Sequence, residues 1–414
     1  MRRLVVYLAG AAVGDLEHDD SGLLKFRYRP EWLAQDGASP LSRSLPLQGE
    51  AFRGKHARAF FAGILPEEEP RRRIASILGV SERNDFALLE RIGGECAGAV
   101  CLLPEGVAPP AAGEVRVREL SDDDLRRIVT ELPDRPLLAG EDGLRLSLAG
   151  AQDKLPVVVR DGRVALPLGD TPSTHIIKPE PPRFSGLAAN EFFCMTLAKS
   201  VGLKVSAVER FTVGDKACLL VQRYDRTVAA DGAVTRIHQE DFCQALGFPP
   251  EHKYQQEGGP LLRDCVALLR EWSTAPVLDL RDFIDGQIFN VLIGNADAHG
   301  KNYSMLYRGG QRRLAPFYDL VCTLAWPELS KTPAMKIGGS PSLDVFTAAP
   351  WQKMAQEARL GWPMIRERME ALCAQVIDTL RGFAMREAMT GDMEARVAAL
   401  AQERAQALLA NLTR

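Results

Sequence analysis

The stretch Gly294-Asn295-Ala296-Asp297-Ala298-His299-Gly300-Lys301-Asn302-Tyr303-Ser304 decides how this chain is read. Upstream, Leu280, Ile284, Ile288 and Val291 recur at helical spacing, so an apolar helix delivers the chain to Gly294 and a polar loop follows. Within that loop Asp297 and Asn302 stand five residues apart. Downstream, Phe317-Tyr318-Asp319-Leu320 reads as a short strand with an acid at its end. An acid that accepts a hydroxyl proton, with an amide and a second acid that offer oxygen to a hard cation, is the equipment of phosphoryl transfer. Asp297 is then the general base, and Asn302 and Asp319 are the Mg²⁺ ligands. Asn and Asp are common turn formers, and the spacing alone is a weak signal. Its position after an apolar helix, with Asp319 to follow, gives it weight. His299 and Lys301 lie in the same loop, where each either meets phosphate or braces the loop.

Composition bounds the rest. A chain of 414 residues points to two or three domains. Hydrophobic content of 46% and charged content of 25% are those of an ordinary globular protein. The net charge of -3 supplies no basic field for nucleic acid, so contact with DNA needs a local patch or a basic partner. No apolar run approaches the ~20 residues that span a bilayer. Met1 to Leu8 lacks a full signal-peptide core and reads as a first strand. Eight cysteines without a CxxC pair favour reduced thiols in a cytoplasmic protein, and six histidines without ligand spacing argue against zinc. The proline- and glycine-rich stretch Pro104 to Gly113 marks a linker. Three domains are expected: a small α+β subdomain over 1–105, a β-rich lobe carrying a phosphate loop over 106–240, and a helical lobe with the catalytic loop over 241–414.

The middle region fits that plan. Leu144 to Leu148 reads as a strand, followed by a loop, the strand Leu155 to Val159, a turn at Asp161-Gly162 and the strand Val164 to Leu166. A strand ending His175-Ile176-Ile177-Lys178 precedes a helix from Leu187 to Val201, and two more strands follow. This is the element order of a protein-kinase small lobe, and the fold class expected is α+β, a kinase-like two-lobe fold. Lys178 at the strand end is placed to grip the α- and β-phosphates of ATP. Glu191 shares the inward stripe with Leu187, Cys194, Ala198 and Val201, so it either partners that lysine or decorates the first turn. Neither GxGxxG nor GxxxxGK[ST] occurs. In their place stands Ser147-Leu148-Ala149-Gly150-Ala151-Gln152-Asp153-Lys154, where small residues (Ala149, Gly150, Ala151) let backbone N–H groups approach phosphate and Gln152 and Lys154 add polar reach. The segment Leu220 to Asp225 offers backbone to adenine, with Gln222 beside it, Tyr224 to cover the base and Asp225 to reach ribose.

The strings SLAGAQDKLPV, HIIKPE, NEFFCMTLAKSVGL, VQRYDR, HQEDFCQALG, KYQQEGGP, GNADAHGKNYS and FYDL together resemble the HipA family over nearly the whole chain. Asp153 departs from the family's usual Glu but keeps its charge. The resemblance implies a serine/threonine kinase that is the toxin of a bacterial toxin–antitoxin pair. It also implies that Ser147 is autophosphorylated and the kinase thereby shut off; read without the family, Ser147 is a plain strand-end serine. The implied partners are a small helix-turn-helix antitoxin of HipB type, operator DNA reached through it, and a protein substrate such as an aminoacyl-tRNA synthetase, whose modification stalls translation and promotes growth arrest and persistence. No membrane association is implied. Two rival readings stand beside this one: a small-molecule kinase on the same lobes, and a nucleotide-binding corepressor that works with a DNA-binding partner.

Overall fold

The structure, a computed structural model, describes residues 2–18, 23–107, 116–169, 171–382 and 389–412. Two compact units interleave along the chain. The first comprises Met1–Pro179, Phe211–Pro250 and Leu306–Gly310, and the second Glu180–Arg210, Glu251–Met305 and Gln311–Arg414. Residues 108–113 of the expected linker lie outside the described residues.

In the first unit, apolar alternation builds two large antiparallel sheets. One runs in the order Phe52–Arg53, Leu24–Tyr28, Ala11–His18, Arg3–Leu8, Val100–Pro104. Leu4, Val6 and Leu8 point to one buried face of Arg3–Leu8, which the helices Lys55–Phe61, Glu68–Ile77 and Asp85–Ile92 help to cover. The other has the order Val208–Val213, Lys216–Gln222, His175–Pro179, Leu155–Arg160, Arg163–Pro167, Val117–Glu119. The hairpin at Asp161-Gly162 forms as predicted: both residues take positive φ, 48° and 74°, the type I′ geometry that fits strand twist. Leu4, Phe26, Phe60 and Leu88 join Leu155, Val157, Ile177 and Cys218 in one core, so the two sheets share their apolar interior. Each such side chain contributes about 1.5–3 kcal/mol when fully buried.

Leu144 to Leu148 does not form the expected strand. Leu144 bridges Gly169 and Leu146 bridges Glu95, each as a single parallel bridge. The run is apolar because it is buried, but its backbone bonds go to different neighbours one residue at a time, so no ladder propagates.

The second unit is helical, built from Leu187–Ser200, Leu262–Trp272, Pro276–Ile293, Ala348–Glu357, Trp362–Arg381 and Asp392–Leu412. Pro276–Ile293 is its centre. Every residue from Phe283 to Ile293 is buried, well beyond the one-face stripe read from the sequence. Its buried polar residues are matched: Asp285 takes a two-pronged contact from Arg368 at 2.7 and 2.8 Å, and Gln287 and Asn290 both donate to the Tyr303 hydroxyl. From Asp392–Leu412, Arg404 Nε donates to the Val291 carbonyl at 2.7 Å near the end of the central helix. All eight cysteines are free and buried. Among the described residues no helix is long and apolar enough to cross a membrane.

Two buried groups give the first unit opposing responses to pH. Glu240, in the strand His238–Asp241, accepts from Ser42 Oγ, Tyr307 Oη and, at 3.0 Å, the Arg43 N–H. Burial outweighs these donors and pushes its carboxyl from 4.5 up to about 7. Its contribution to stability is therefore full below 4.5 and is lost as pH rises through about 7. Burial pushes His238 from 6.5 down to about 4, so its contribution is full above 6.5 and is lost as pH falls through about 4. The slopes offset each other in the native chain. In Glu240→Gln only the histidine slope remains, and the thermal midpoint is expected to climb more steeply between pH 4 and 6.5 than in the native protein. Equal slopes for the two proteins would contradict the assignment.

Candidate active site

The second unit brings the proposed base and metal ligands into one loop system. The helix Pro276–Ile293 stops at Gly294, whose φ of 72° is left-handed and where a Cβ would lie 2.9 Å from Leu324 Cδ1. The loop after it is fixed by its own side chains. Thr323 Oγ1 accepts from the Ala296 N–H at 2.8 Å and donates to the Gly294 carbonyl at 3.1 Å. The Asn295 amide donates to Asn290 Oδ1 at 2.9 Å and accepts from the Asp297 N–H at 3.0 Å. Asp297 is thereby presented on the surface of this unit.

Asn302 Nδ2 donates to Asp319 Oδ2 at 2.9 Å, so these two residues, 17 apart in sequence, sit side by side. Asn302 is 8% exposed, and its Oδ1 is buried without a hydrogen-bond partner among the described residues. Asp319 holds a φ of 59°, a left-handed conformation that costs a non-glycine residue about 1–3 kcal/mol and recurs at functional sites. The preceding residues hold it there. Phe317 bridges Val205, and the Tyr318 hydroxyl donates to the Lys301 carbonyl at 2.7 Å. An orphaned amide oxygen next to a carboxylate is an all-oxygen donor set that fits a hard divalent cation. Lys301 and His299 are buried in the same loop.

Apart from His299 and Lys301, the nucleotide residues predicted from sequence lie in the first unit. Ser147 is fully buried; its N–H donates to the Glu95 carbonyl at 2.9 Å and its hydroxyl to the Ile64 carbonyl at 3.1 Å. After it the loop rises to the surface, with Ala149 and Gly150 half-buried and Ala151 exposed. Lys154 Nζ folds back to the Ala149 carbonyl at 2.6 Å, and Gln152 reaches the Pro179 carbonyl at 3.4 Å. Lys178 lies in His175–Pro179, opposite Leu219. Gln222 is exposed, and Tyr224 donates to Gln239. Glu191, in the second unit, is 2% exposed, as the inward stripe predicts.

Asp225 is engaged in a buried ion cluster that no local pattern announces. It accepts from Arg223 at 2.8 and 2.9 Å and from the Gly98 N–H at 2.7 Å. At the centre sits Glu95, fully buried, with Arg223 at 2.9 Å, Arg226 at 2.8 Å and Arg236 at 2.6 Å. Burial alone would raise its carboxyl, but the guanidiniums of Arg226, Arg236 and Arg223 hold it well below the usual range. Burial likewise opposes the charge on Asp225, and Arg223 and Arg226 keep its carboxyl low. One segment, Gly94 to Gly98, thus fixes both the seat of Ser147 and the residues after Gln222. Glu95 and Tyr254, which donates to Asp297, are the neighbours of the candidate site residues that sequence spacing missed, because their partners lie 43 to 141 residues away.

The chain as a whole is similar to known proteins. Residues 4–103 match the HipA N-terminal domain and residues 146–381 the HipA-like C-terminal domain. The protein named "Putative kinase Y4mE" in Sinorhizobium fredii is 48% identical over 375 residues, covering 90% of this chain and 89% of that one. The serine/threonine-protein kinase toxin HipA of Shewanella oneidensis is 33% identical over 346 residues, covering 81% and 78%. In the solved complex of Shewanella oneidensis HipA, HipB and operator DNA, a chain superposes with a TM-score of 0.83 at 28% identity, covering 99% of this chain and 97% of that one. The fold is accordingly the α+β, kinase-like one with a small N-terminal subdomain, and the chain belongs to the HipA family.

Proposed function

We propose that this chain is an ATP- and Mg²⁺-dependent serine/threonine protein kinase acting in the cytoplasm as the toxin of a toxin–antitoxin pair. The observation that carries the reading is the Asn302–Asp319 pair, with its orphaned amide oxygen, on the same loop system that exposes Asp297. Asp297 orients the acceptor hydroxyl and takes its proton. Asn302 Oδ1 and Asp319 would hold Mg²⁺, which supplies charge neutralisation at the β- and γ-phosphates. In the first unit Lys178 and Lys154, with the backbone of Ala149 to Gln152, bind the phosphates; in the second, His299 and Lys301 brace the loop that carries Asp297. Gln222 and Tyr224 flank the base, on a segment that Asp225, rather than reaching ribose, anchors through Arg223 and the Gly98 N–H.

The substrate is a protein, an aminoacyl-tRNA synthetase by family, so that translation and growth stop. Autophosphorylation of Ser147 ends the activity. Its hydroxyl is buried against the Ile64 carbonyl, so a phosphoryl group there has no room unless the loop leaves its seat. A HipB-like helix-turn-helix antitoxin neutralises the kinase and carries it to operator DNA, in keeping with a chain whose own net charge is -3. Expression of the chain alone should arrest growth, co-expression with the antitoxin should restore it, and Asp297→Ala should abolish the arrest. Continued arrest by Asp297→Ala at equal protein levels would overturn the toxin-kinase reading.

A further inference from the structure

We infer that Tyr254 is a positioning residue for Asp297, holding its carboxylate and setting its basicity through a hydroxyl hydrogen bond. The inference rests on Asp297 being the base. Tyr254 Oη donates to Asp297 Oδ1 at 2.8 Å. The residues lie 43 apart, yet both belong to the second unit and are held to one frame. On the tyrosine side, the turn Tyr254 to Gly259 closes through Gly259 N–H to the Tyr254 carbonyl at 2.9 Å. A Cβ at Gly259 would lie 2.3 Å from the His252 carbonyl oxygen and 2.8 Å from that of Tyr254, so only glycine completes the turn. The ring itself stands edge-on to His299, centroids 5.2 Å apart, and Lys253 Nζ lies 5.4 Å from its centroid. Next to Tyr254, the Gln255 N–H donates to the Ala334 carbonyl at 3.0 Å, and the Ala334 N–H donates to the Ala296 carbonyl at 2.8 Å, one residue before Asp297. The donor and the acceptor are thus tied to each other's backbone by a short chain of bonds.

A phenol that donates to an ionised carboxylate makes a charge-assisted bond, which favours the charged form and fixes which way its oxygens face. A general base must lie within hydrogen-bond reach of the hydroxyl it serves, and its orientation is part of that requirement. The tyrosine is only half-buried, so a stability role through core packing is not what selects it.

Tyr254→Phe keeps the ring and its contact with His299 and removes one oxygen. The full chain is given Mg²⁺ and γ-labelled ATP, and its single turnover onto its own serine is followed across pH beside Asp297→Asn, with kcat read as the limiting rate and KM as the half-saturating ATP concentration. Tyr254→Phe is expected to lower kcat roughly 10- to 100-fold, to leave the KM for ATP within about twofold and to leave the thermal midpoint in place. It should also move the acid limb of kcat/KM upward by about one pH unit. An inactive Asp297→Asn with an unshifted Tyr254→Phe profile would overturn the positioning role alone. An Asp297→Asn protein at the native rate would remove the base, and this inference with it.

Discussion

Replacing Asp319 by asparagine is expected to leave the fold intact and to cut phosphoryl transfer by roughly 10²–10³, the range seen when one electrostatic contact to a transition state is lost. Asparagine is chosen because Asp319 sits at a φ of 59°, a conformation that Asn and Asp tolerate better than other non-glycine residues. The substitution therefore removes charge without adding backbone strain. It keeps an oxygen beside Asn302 but turns the carboxylate, a strong ligand for a hard cation, into a neutral amide. The Mg²⁺ concentration needed for half-maximal rate should rise together with the loss of rate. Initial rates across a Mg²⁺ series, with thermal midpoints as the control for folding, check this. A rate within about twofold of the native protein would mean that Asp319 is only a strand-end turn residue.

Replacing Glu95 by alanine is expected to destabilise the first unit by about 3–5 kcal/mol, the cost of removing one partner from a buried ion pair. Arg223 and Arg226 are themselves buried, and losing Glu95 would leave Asp225 as the carboxylate that pairs with both. Arg236 donates to Glu95 Oε2 through both Nε and Nη2, and the substitution removes both bonds. Glu95→Gln preserves shape and some hydrogen bonds to Ser173, whose N–H and hydroxyl both donate to Oε1, and should cost less. Because Ser147 hangs from the Glu95 carbonyl, loosening this segment should also expose the Ser147 loop to protease ahead of global unfolding. Thermal midpoints and limited proteolysis check both statements. An Ala variant with the native midpoint and digestion pattern would show that the cluster is no more than a solvent-tolerant surface network.

Much of the candidate catalytic loop was legible because its signals are local. Asp297 and Asn302 lie within one turn system, and the glycine that stops the helix precedes them directly. The Asp161-Gly162 hairpin was legible for the same reason: the turn type is a property of two residues. Glu191 followed from helical period, and its burial agrees. What sequence could not supply was any relation whose two halves are far apart. Glu95 reads as an ordinary acid between Gly94 and Cys96, and only folding puts three arginines from residues 223 to 236 around it. Tyr254 reads as one aromatic in a glycine-rich stretch, and its bond to Asp297 depends on the Gly259 turn. Leu144 to Leu148 misled in the other direction. Apolar content reports burial, not hydrogen-bond partners, and this run spends its backbone on isolated bridges. The central helix showed the same limit, since a four-residue stripe could not reveal that Phe283 to Ile293 is buried on all sides.

The most direct test of the phosphoryl-transfer claim is a single-turnover measurement of label leaving γ-labelled ATP, with Mg²⁺ and enzyme in excess, for the native chain and for Asp297→Asn. The substitution preserves size and the acceptor oxygen for Tyr254 while removing the basic site. A fall in the transfer rate of roughly 10²–10⁴, with ATP still bound, is the expected result. Transfer by Asp297→Asn at the native rate would contradict the assignment of this loop as the catalytic one.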